Sequence, residues 1–235
     1  MMKAAPWPVT MLFALSLLAN LWLAGAPDWR WLPAALAAWY IADLLSGLTH
    51  MYMDYRPCTP GIGLDRMFHY AGSRESEEYL ALRDGVLPQI SPFERLVYDF
   101  KNHHPRPEAL GRRPFLVQIG STILFVSLPV SILLNLLCLT VGVPGWLVFG
   151  LVVLTIGGTL AQYFHGTLHR HDNPRIVGAM RRIGLLMTPE AHALHHATLR
   201  RDFATNTGWS NPLVNLIFRA AMSRGWLDEA GLEPR

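Results

Sequence analysis

The sequence predicts an all-α integral membrane protein, with four transmembrane helices and a His-rich helical cap on the cytoplasmic side. Three observations favour this class. Of the 235 residues, 51% are hydrophobic and only 16% are charged, well below the quarter that is typical of soluble domains. Charged residues are unevenly distributed, and no Asp, Glu, Lys or Arg occurs between residues 114 and 169. Finally, most of the ten histidines lie at the borders of the apolar blocks.

The same counts exclude several other classes. The 20 basic and 17 acidic residues leave a net charge of +3 with histidine neutral. This excess is too small for a typical nucleic-acid-binding protein, so no nucleic-acid partner is expected. Two cysteines exclude a disulfide scaffold, and the high apolar content excludes a disordered chain.

The first two predicted spans cover residues 9–26 and 31–47, because about 20 mostly apolar residues cross the hydrocarbon layer. A short turn at residues 26–30 joins them. Residues 1–26 also resemble a cleaved signal peptide that ends at Ala24-Gly-Ala26. However, the apolar run is long for a signal peptide and the next apolar segment follows at once, so a retained helix is favoured.

The third and fourth predicted spans cover residues 115–141 and 145–164, joined by an uncharged turn. Pro129 predicts a kink in the third span, which neighbouring helices can tolerate. Of the 20 Lys and Arg residues, only Arg30 falls in the two short turns. The positive-inside rule therefore places both termini, the 51–113 loop and the 170–235 tail in the cytoplasm. We expect a single membrane domain over residues 1–235, in the inner membrane if the source is bacterial.

Eight histidines form four clusters that this topology brings to one membrane face. Helix positions i, i+3 and i+4 share a face, so the residues within a cluster can approach one metal ion. Imidazole is a good ligand for iron, zinc and copper, and eight nitrogen ligands suit two ions better than one four-coordinate zinc. The clusters are His50, with Asp54 four residues later; His103 and His104; His165 and His169; and His192, His195 and His196.

A His-rich di-iron centre at a membrane face is the best fit to this pattern. The chain has no H-E-x-x-H protease motif and no G-x-G-x-x-G nucleotide-binding motif. The usual work of such a centre is O₂-dependent attack on an unreactive C–H bond, with electrons from a separate protein.

Several stretches resemble the lipid desaturase domain of plasmanylethanolamine desaturases, the Kua family, to which plant plastid phosphatidylglycerol desaturases are related. The matching stretches occur in family order over roughly residues 40–218. They are Ser46–Asp54, Phe100–His104, His165–His169, His192–His196 and Thr207–Leu213.

The resemblance implies that the eight clustered histidines bind two iron ions and that O₂ is the co-substrate. It also implies a membrane phospholipid substrate, whose alkyl or acyl chain gains a double bond, with vinyl-ether (plasmalogen) formation favoured. The electron donor is expected to be of the cytochrome or ferredoxin type. Asp54 matches a family aspartate, and we expect it to bind metal or to orient a ligand. Asn206 and Asn211 are candidates for orienting ligands, although turn-forming Asn is the simpler interpretation.

The sequence departs from the family pattern in three places. Met51 follows the first histidine where Trp is common, and Pro105-Arg-Pro107 replaces the usual Asp-Pro. The segment of about residues 58–92 looks longer than in typical members, and we expect it to lie over the cytoplasmic mouth of the site. This segment leaves the lipid head group and the position of the double bond open.

Two other functions remain as alternatives. A di-iron lipid or sterol hydroxylase also uses His-rich motifs, but such enzymes usually carry more than one H-x-x-H-H. A non-enzymatic metal transporter or sensor needs ligating residues inside the spans, and the 114–164 block offers only Gln118, Asn135 and Gln162 as longer polar side chains. The sequence leaves the oligomeric state open.

Overall fold

The computed structural model describes residues 7–235, and within this range the protein is helical and has no β-strand. The α-helices are α1 (Trp7–Leu23), α2 (Trp31–Tyr55), α3 (Leu64–Phe68), α4 (Glu77–Val86), α5 (Pro92–His103), α6 (Pro107–Gly111), α7 (Phe115–Thr122), α8 (Leu128–Thr140), α9 (Gly145–Thr167), α10 (Arg175–Arg182), α11 (Pro189–Thr198) and α12 (Asn211–Ser223). Short 3₁₀ turns occupy Leu87–Gln89 and Glu229–Gly231.

Three helical segments are long and apolar enough to cross a membrane. They are α2, the continuous stretch Phe115–Thr140, and α9, with mean hydropathies of 1.3, 2.3 and 1.8. Helix α1 is apolar and covers 17 of the described residues, Trp7–Leu23. The all-helical membrane class is therefore confirmed, whereas the count of four spans stays a prediction.

Two helical segments differ in detail from the predicted spans. The second predicted span ends at residue 47, but helix α2 continues for two more turns to Tyr55. A π-helical turn, Ile123–Ser127, lies just before Pro129. Proline cannot donate the backbone hydrogen bond of a regular helix, and a π-helical turn is one way in which a helix adapts to such a break.

Helices α2 and α9 run side by side in the same direction and form the centre of the molecule. Small residues let them approach closely: Gly150 faces Ala34, and Gly157 faces Ala42. Helix α1 packs on α8 through polar contacts. The Ser16 and Ser131 hydroxyls lie 2.7 Å apart, and Asn20 Nδ2 donates to the Ser131 hydroxyl at 2.8 Å.

The 51–113 loop forms a helical layer on one side of the α2 end. Its core contains Leu64 and Met67 of α3 and Val97 and Tyr98 of α5. Helix α4 begins directly after Ser76, whose hydroxyl accepts a hydrogen bond from the Tyr79 N–H and so caps the helix. The segment of about residues 58–92 packs on α5, which carries His103.

The C-terminal part wraps around the same end of α2 and α9. Val177 of α10 and Leu186 pack on Phe164 of α9. Phe203 and Phe218 pack on Tyr55 of α2. Helix α11 is thereby held between these helices, with His192 and His195 fully buried.

Candidate metal centre

The structure brings together the eight clustered histidines and Asp54, although they are up to 146 positions apart in the sequence. Their donor atoms form two compact groups, and within each group all the donor atoms lie within 4.8 Å of one another. The five-histidine group contains His103, His165, His169, His192 and His196. The carboxylate group contains His50, Asp54, His104 and His195.

His192 is central to the five-histidine group. Its Nε2 atom lies 3.1 Å from His165 Nε2, 3.2 Å from His169 Nε2 and 3.1 Å from His196 Nε2. Helix α11 contributes His192 and His196 at positions i and i+4. Helix α9 contributes His165, and His169 follows two residues after the end of α9, at the same spacing in the sequence. As the sequence spacing predicted, histidines four positions apart lie close together within this group.

Asp54 is central to the carboxylate group. Its Oδ2 atom lies 3.3 Å from His50 Nε2, 3.5 Å from His104 Nε2 and 3.4 Å from His195 Nε2. Asp54 and His50 are one turn apart on the extension of α2 that passes the predicted end. Three ring nitrogens from three parts of the chain thus surround one buried carboxylate oxygen.

Backbone carbonyls fix the orientation of three of these rings. His50 Nδ1 donates to the Phe203 carbonyl at 2.9 Å, and His195 Nδ1 donates to the Arg201 carbonyl at 2.8 Å. His103 Nδ1 donates to the Phe100 carbonyl. In a neutral imidazole the other nitrogen, Nε2, then carries the lone pair, and here Nε2 points into the centre.

Each of the two groups could hold a cation. Asp54 Oδ1 and Oδ2, His50 Nε2 and His103 Nε2 are buried and have no hydrogen-bond partner. Buried acceptors without a partner are costly, and acceptors that face one another at 3.3–3.5 Å also repel. Two metal ions, one in each group, would satisfy these atoms, and the mainly imidazole donor set suits a transition metal such as iron.

Burial keeps the histidines outside the spans in the neutral form that binds metal. Burial, with a smaller contribution from the neighbouring imidazoles, lowers the pKa of His169 to about 4 and that of His196 to about 3. The pKa values of His103 and His192 are held well below their usual range by the same causes. No proton therefore competes with a metal ion at these four residues near pH 7.

The other predicted residues lie outside the two groups. Asn206 Nδ2 donates to the Gly157 carbonyl in α9 at 3.3 Å, and the backbone carbonyl of Asn206 accepts a hydrogen bond from the Met187 N–H at 2.7 Å. Asn211 binds both the N–H and the carbonyl of Ala204. Both asparagines hold the backbone between α11 and α12 in place.

Two buried charged residues were missed by the sequence analysis. Asp43 of α2 accepts hydrogen bonds from the N–H groups of Thr207, Gly208 and Ser210 and from the Ser210 hydroxyl, at 2.7–3.1 Å. Its only sequence signal was an isolated acidic residue within a predicted span, which often marks a buried polar contact.

Lys101 is the second residue that was missed. It is 1% exposed, and its Nζ donates to the carbonyls of Met53, at 3.1 Å, and Asp54 in the last turn of α2. A positive charge at the C-terminal end of a helix is stabilising. Lys101 therefore supports the extra turns of α2 that carry His50 and Asp54. Burial lowers its pKa to about 8.

Comparison with known proteins gives a consistent result. The family profile described as "Lipid desaturase domain" matches residues 91–235. The chain is 28% identical over 229 residues to a Myxococcus xanthus protein named "Plasmanylethanolamine desaturase", and this match covers 94% of the chain and 69% of that protein. No solved structure matches.

Proposed function

The chain belongs to the lipid desaturase domain family and is an oxidoreductase that acts on membrane lipid, and from this premise we propose that it is a di-iron, O₂-dependent enzyme that forms a double bond in a phospholipid chain. The observation that carries the proposal is the pair of donor groups, in which nine buried or partly buried side chains converge and five of their atoms have no hydrogen-bond partner among the described residues. Bound iron would supply O₂ activation and removal of hydrogen from the lipid chain. The overall reaction consumes one O₂, two electrons and two protons, removes two hydrogens from neighbouring carbons, and releases two water molecules.

The residues of the chain have distinct parts in this proposal. The five-histidine group would hold one iron with neutral donors only. The carboxylate group would hold the other iron with three imidazoles and the charge of Asp54. The carbonyls of Phe203 and Arg201 keep two rings of the carboxylate group aimed at its iron. Phe100 and Phe203 pack against these rings and limit access of water.

We favour a vinyl ether as the product because the Myxococcus xanthus relative is named for that activity. A double bond in an acyl chain is the alternative product. Electrons would come from a cytochrome- or ferredoxin-type protein. The non-enzymatic alternative, a transporter or sensor, is set aside because the family profile and the Myxococcus xanthus relative are both named for desaturase activity.

We also propose four spans with both termini in the cytoplasm, within one domain. The support comes from α1, which lies along nearly the whole membrane-spanning part of α9. Its inner end packs with Tyr163, while Ala24, just after its outer end, packs with Val148. The N-terminal Lys3, used for the predicted orientation, lies outside the described residues.

The decisive experiment is lipid profiling after expression in a host that lacks such a desaturase. We expect a new lipid that is lighter than its precursor by two hydrogens, and about two irons per purified chain. A gain of one oxygen would identify a hydroxylase instead. Fewer than one iron per chain, with zinc in its place, would contradict the di-iron centre.

His192→Ala and His171→Ala form a matched pair for this assay. His192 is central to the five-histidine group, so its loss should abolish the new lipid and reduce bound iron. His171 belongs to neither group and is exposed, so its replacement should leave both unchanged. A double bond that persists in the His192 variant would refute the ligand assignment.

A further inference from the structure

Part of the C-terminal tail contacts α2 well below the metal centre. The Trp39 indole N–H donates to the Leu185 carbonyl at 3.0 Å, and Asp43 binds the backbone at residues 207–210. With a rise of 1.5 Å per residue, Asp43 lies about 10 Å and Trp39 about 16 Å along the helix from His50. These positions are inside the apolar part of α2.

Contacts with α9 independently place this part of the tail at a similar distance from the metal centre. Asn206 binds the carbonyl of Gly157, which lies about 12 Å along α9 from His165. The Met187 N–H binds the Asn206 carbonyl. The non-helical backbone at this level is therefore paired within the protein, which is the condition for irregular backbone at membrane depth.

Helix α10 presents an apolar face that no described residue covers. Ile176 is 65% exposed and Ile183 is 70% exposed, and the two are one heptad apart on the same face. Arg175 and Arg182 lie next to them in the sequence and share their spacing. Arginine beside exposed isoleucine is typical of a helix at the lipid–water boundary, because the guanidinium group reaches the phosphates.

Helix α12 and its flanks repeat this pattern. Leu213 and Leu216 are exposed on its outer face, and Trp209 and Trp226 are exposed on either side of it. Arg219 lies on the same outer face. Tryptophan is enriched at membrane interfaces, where its ring lies at the level of the head groups.

We propose that α10, α12 and the segment between residues 183 and 187 are embedded in the cytoplasmic leaflet, with their exposed apolar side chains against lipid acyl chains and their arginines at the phosphates. The tail is then a re-entrant part of the membrane domain, contrary to the purely cytoplasmic position expected from its charges. The two estimates of depth, one along α2 and one along α9, and the complementary charge select the bilayer as the occupant of this surface.

Thiol labelling tests this proposal without any measurement of activity. In a background with Cys58→Ala and Cys138→Ala, the variants Ile176→Cys and Ile183→Cys are placed in phosphatidylcholine–phosphatidylglycerol nanodiscs and treated with a charged maleimide. We expect labelling at least ten times slower than in the Asp84→Cys control. Asp84 has a 69% exposed side chain in the layer formed by the 51–113 loop.

A second control defines the lipid-exposed limit. Phe125, in the Phe115–Thr140 span, is 72% exposed in the protein itself, so Phe125→Cys should label as slowly as the two isoleucine positions. All the variants should label equally after denaturation in detergent. Labelling of Ile176→Cys at the Asp84→Cys rate would overturn the proposal. Oxidative disulfide dimers of Ile176→Cys would also overturn it, because they would assign the surface to a second copy of the chain.

Discussion

Asp54 makes the two donor groups chemically unequal. One group offers five neutral imidazoles, and the other offers three imidazoles and a carboxylate. A metal ion beside a carboxylate has part of its charge neutralised, which stabilises its oxidised form. We therefore expect two irons with different reduction potentials.

The first prediction concerns Asp54→Asn. The amide keeps the shape of the side chain but removes its charge, and its NH₂ group faces a metal ion. We expect bound iron to fall from about two to about one per chain, measured by elemental analysis, with loss of desaturation. The purified protein should remain folded, because the Asp54 carboxylate has no hydrogen-bond partner elsewhere.

Asp28→Asn is the matched control, since Asp28 pairs only with Arg30 in an exposed turn. It should retain two irons and full activity. Two irons in the Asp54 variant would show that this carboxylate does not bind metal.

For individual residues, the sequence predicted which histidines converge but not which of the two donor groups each one joins. His103 and His104 are adjacent yet belong to different groups, and the same is true of His195 and His196. Neighbouring positions on a helix point about 100° apart, so each adjacent pair can serve two ions. Which ion each residue serves depends on the packing of α2, α5, α9 and α11, which spacing alone does not contain.

Among the elements, the connection from α11 to α12 depends on Asp43. Its carboxylate accepts from three N–H groups of this connection, and the connection supplies the Phe203 carbonyl that orients His50. Gly47 allows the close approach, because a Cβ atom there would lie 2.9 Å from Ala204 Cβ. Asp43 and Gly47, within the apolar part of α2, therefore help to hold the connection that orients His50 in the carboxylate group.

The second prediction is that Asp43→Asn destabilises this connection. The new NH₂ group opposes the Ser210 N–H, so one buried donor loses its acceptor, at a cost of about 2 kcal/mol. For a chain of this size that cost lowers Tm by about 4–8 °C. Thermal unfolding in nanodiscs measures this loss, and a Tm equal to that of Asp28→Asn would argue against the role given to Asp43.

The third prediction uses two adjacent glycines of α9. A Cβ atom at Gly157 would lie 2.7 Å from Ala42 Cβ, whereas one at Gly158 would meet nothing within 4 Å. Gly157→Ala should push α2 and α9 apart and cost about 1–3 kcal/mol, while Gly158→Ala should leave Tm unchanged or raise it. Equal Tm values for the two variants would contradict the close packing of α2 on α9.

The span prediction was accurate where apolar residues determine the helix. The predicted start at residue 31 and the turn between α8 and α9 are confirmed. Helix α2 continues past residue 47, where the predicted span ends, because His50 and Asp54 interrupt the apolar run without ending the helix. In the structure, Lys101 binds the carbonyls of the last turn, and the carboxylate group buries its polar side chains.

Considered as a whole molecule, the protein has its polar centre where four parts of the chain meet. The donor residues lie on α2, α9, α11 and the end of α5, including the residues just after α5 and α9. Metal ions would therefore crosslink almost the entire chain. The apolar runs of the tail are too short to be predicted as membrane spans, so its contacts along α2 and α9 became visible only in the structure, through Trp39, Asp43 and Asn206.

The fourth prediction is that removal of metal destabilises the whole molecule. Each site occupied at about 1,000 times its dissociation constant contributes about 4 kcal/mol, so stripping one such site should lower Tm by about 8–16 °C. Addition of zinc should restore Tm but not desaturation, because zinc has no redox chemistry. An unchanged Tm after complete removal of iron would contradict binding by these nine residues.

The position of α11 in the chain also has a consequence for biosynthesis. Both donor groups include residues of α11, which follows every predicted span in the sequence. Neither group has its full set of donors until the ribosome has translated His195 and His196. On the proposed function, insertion of the preceding helices into the membrane would therefore come before the donor groups are complete, and metal loading would follow it.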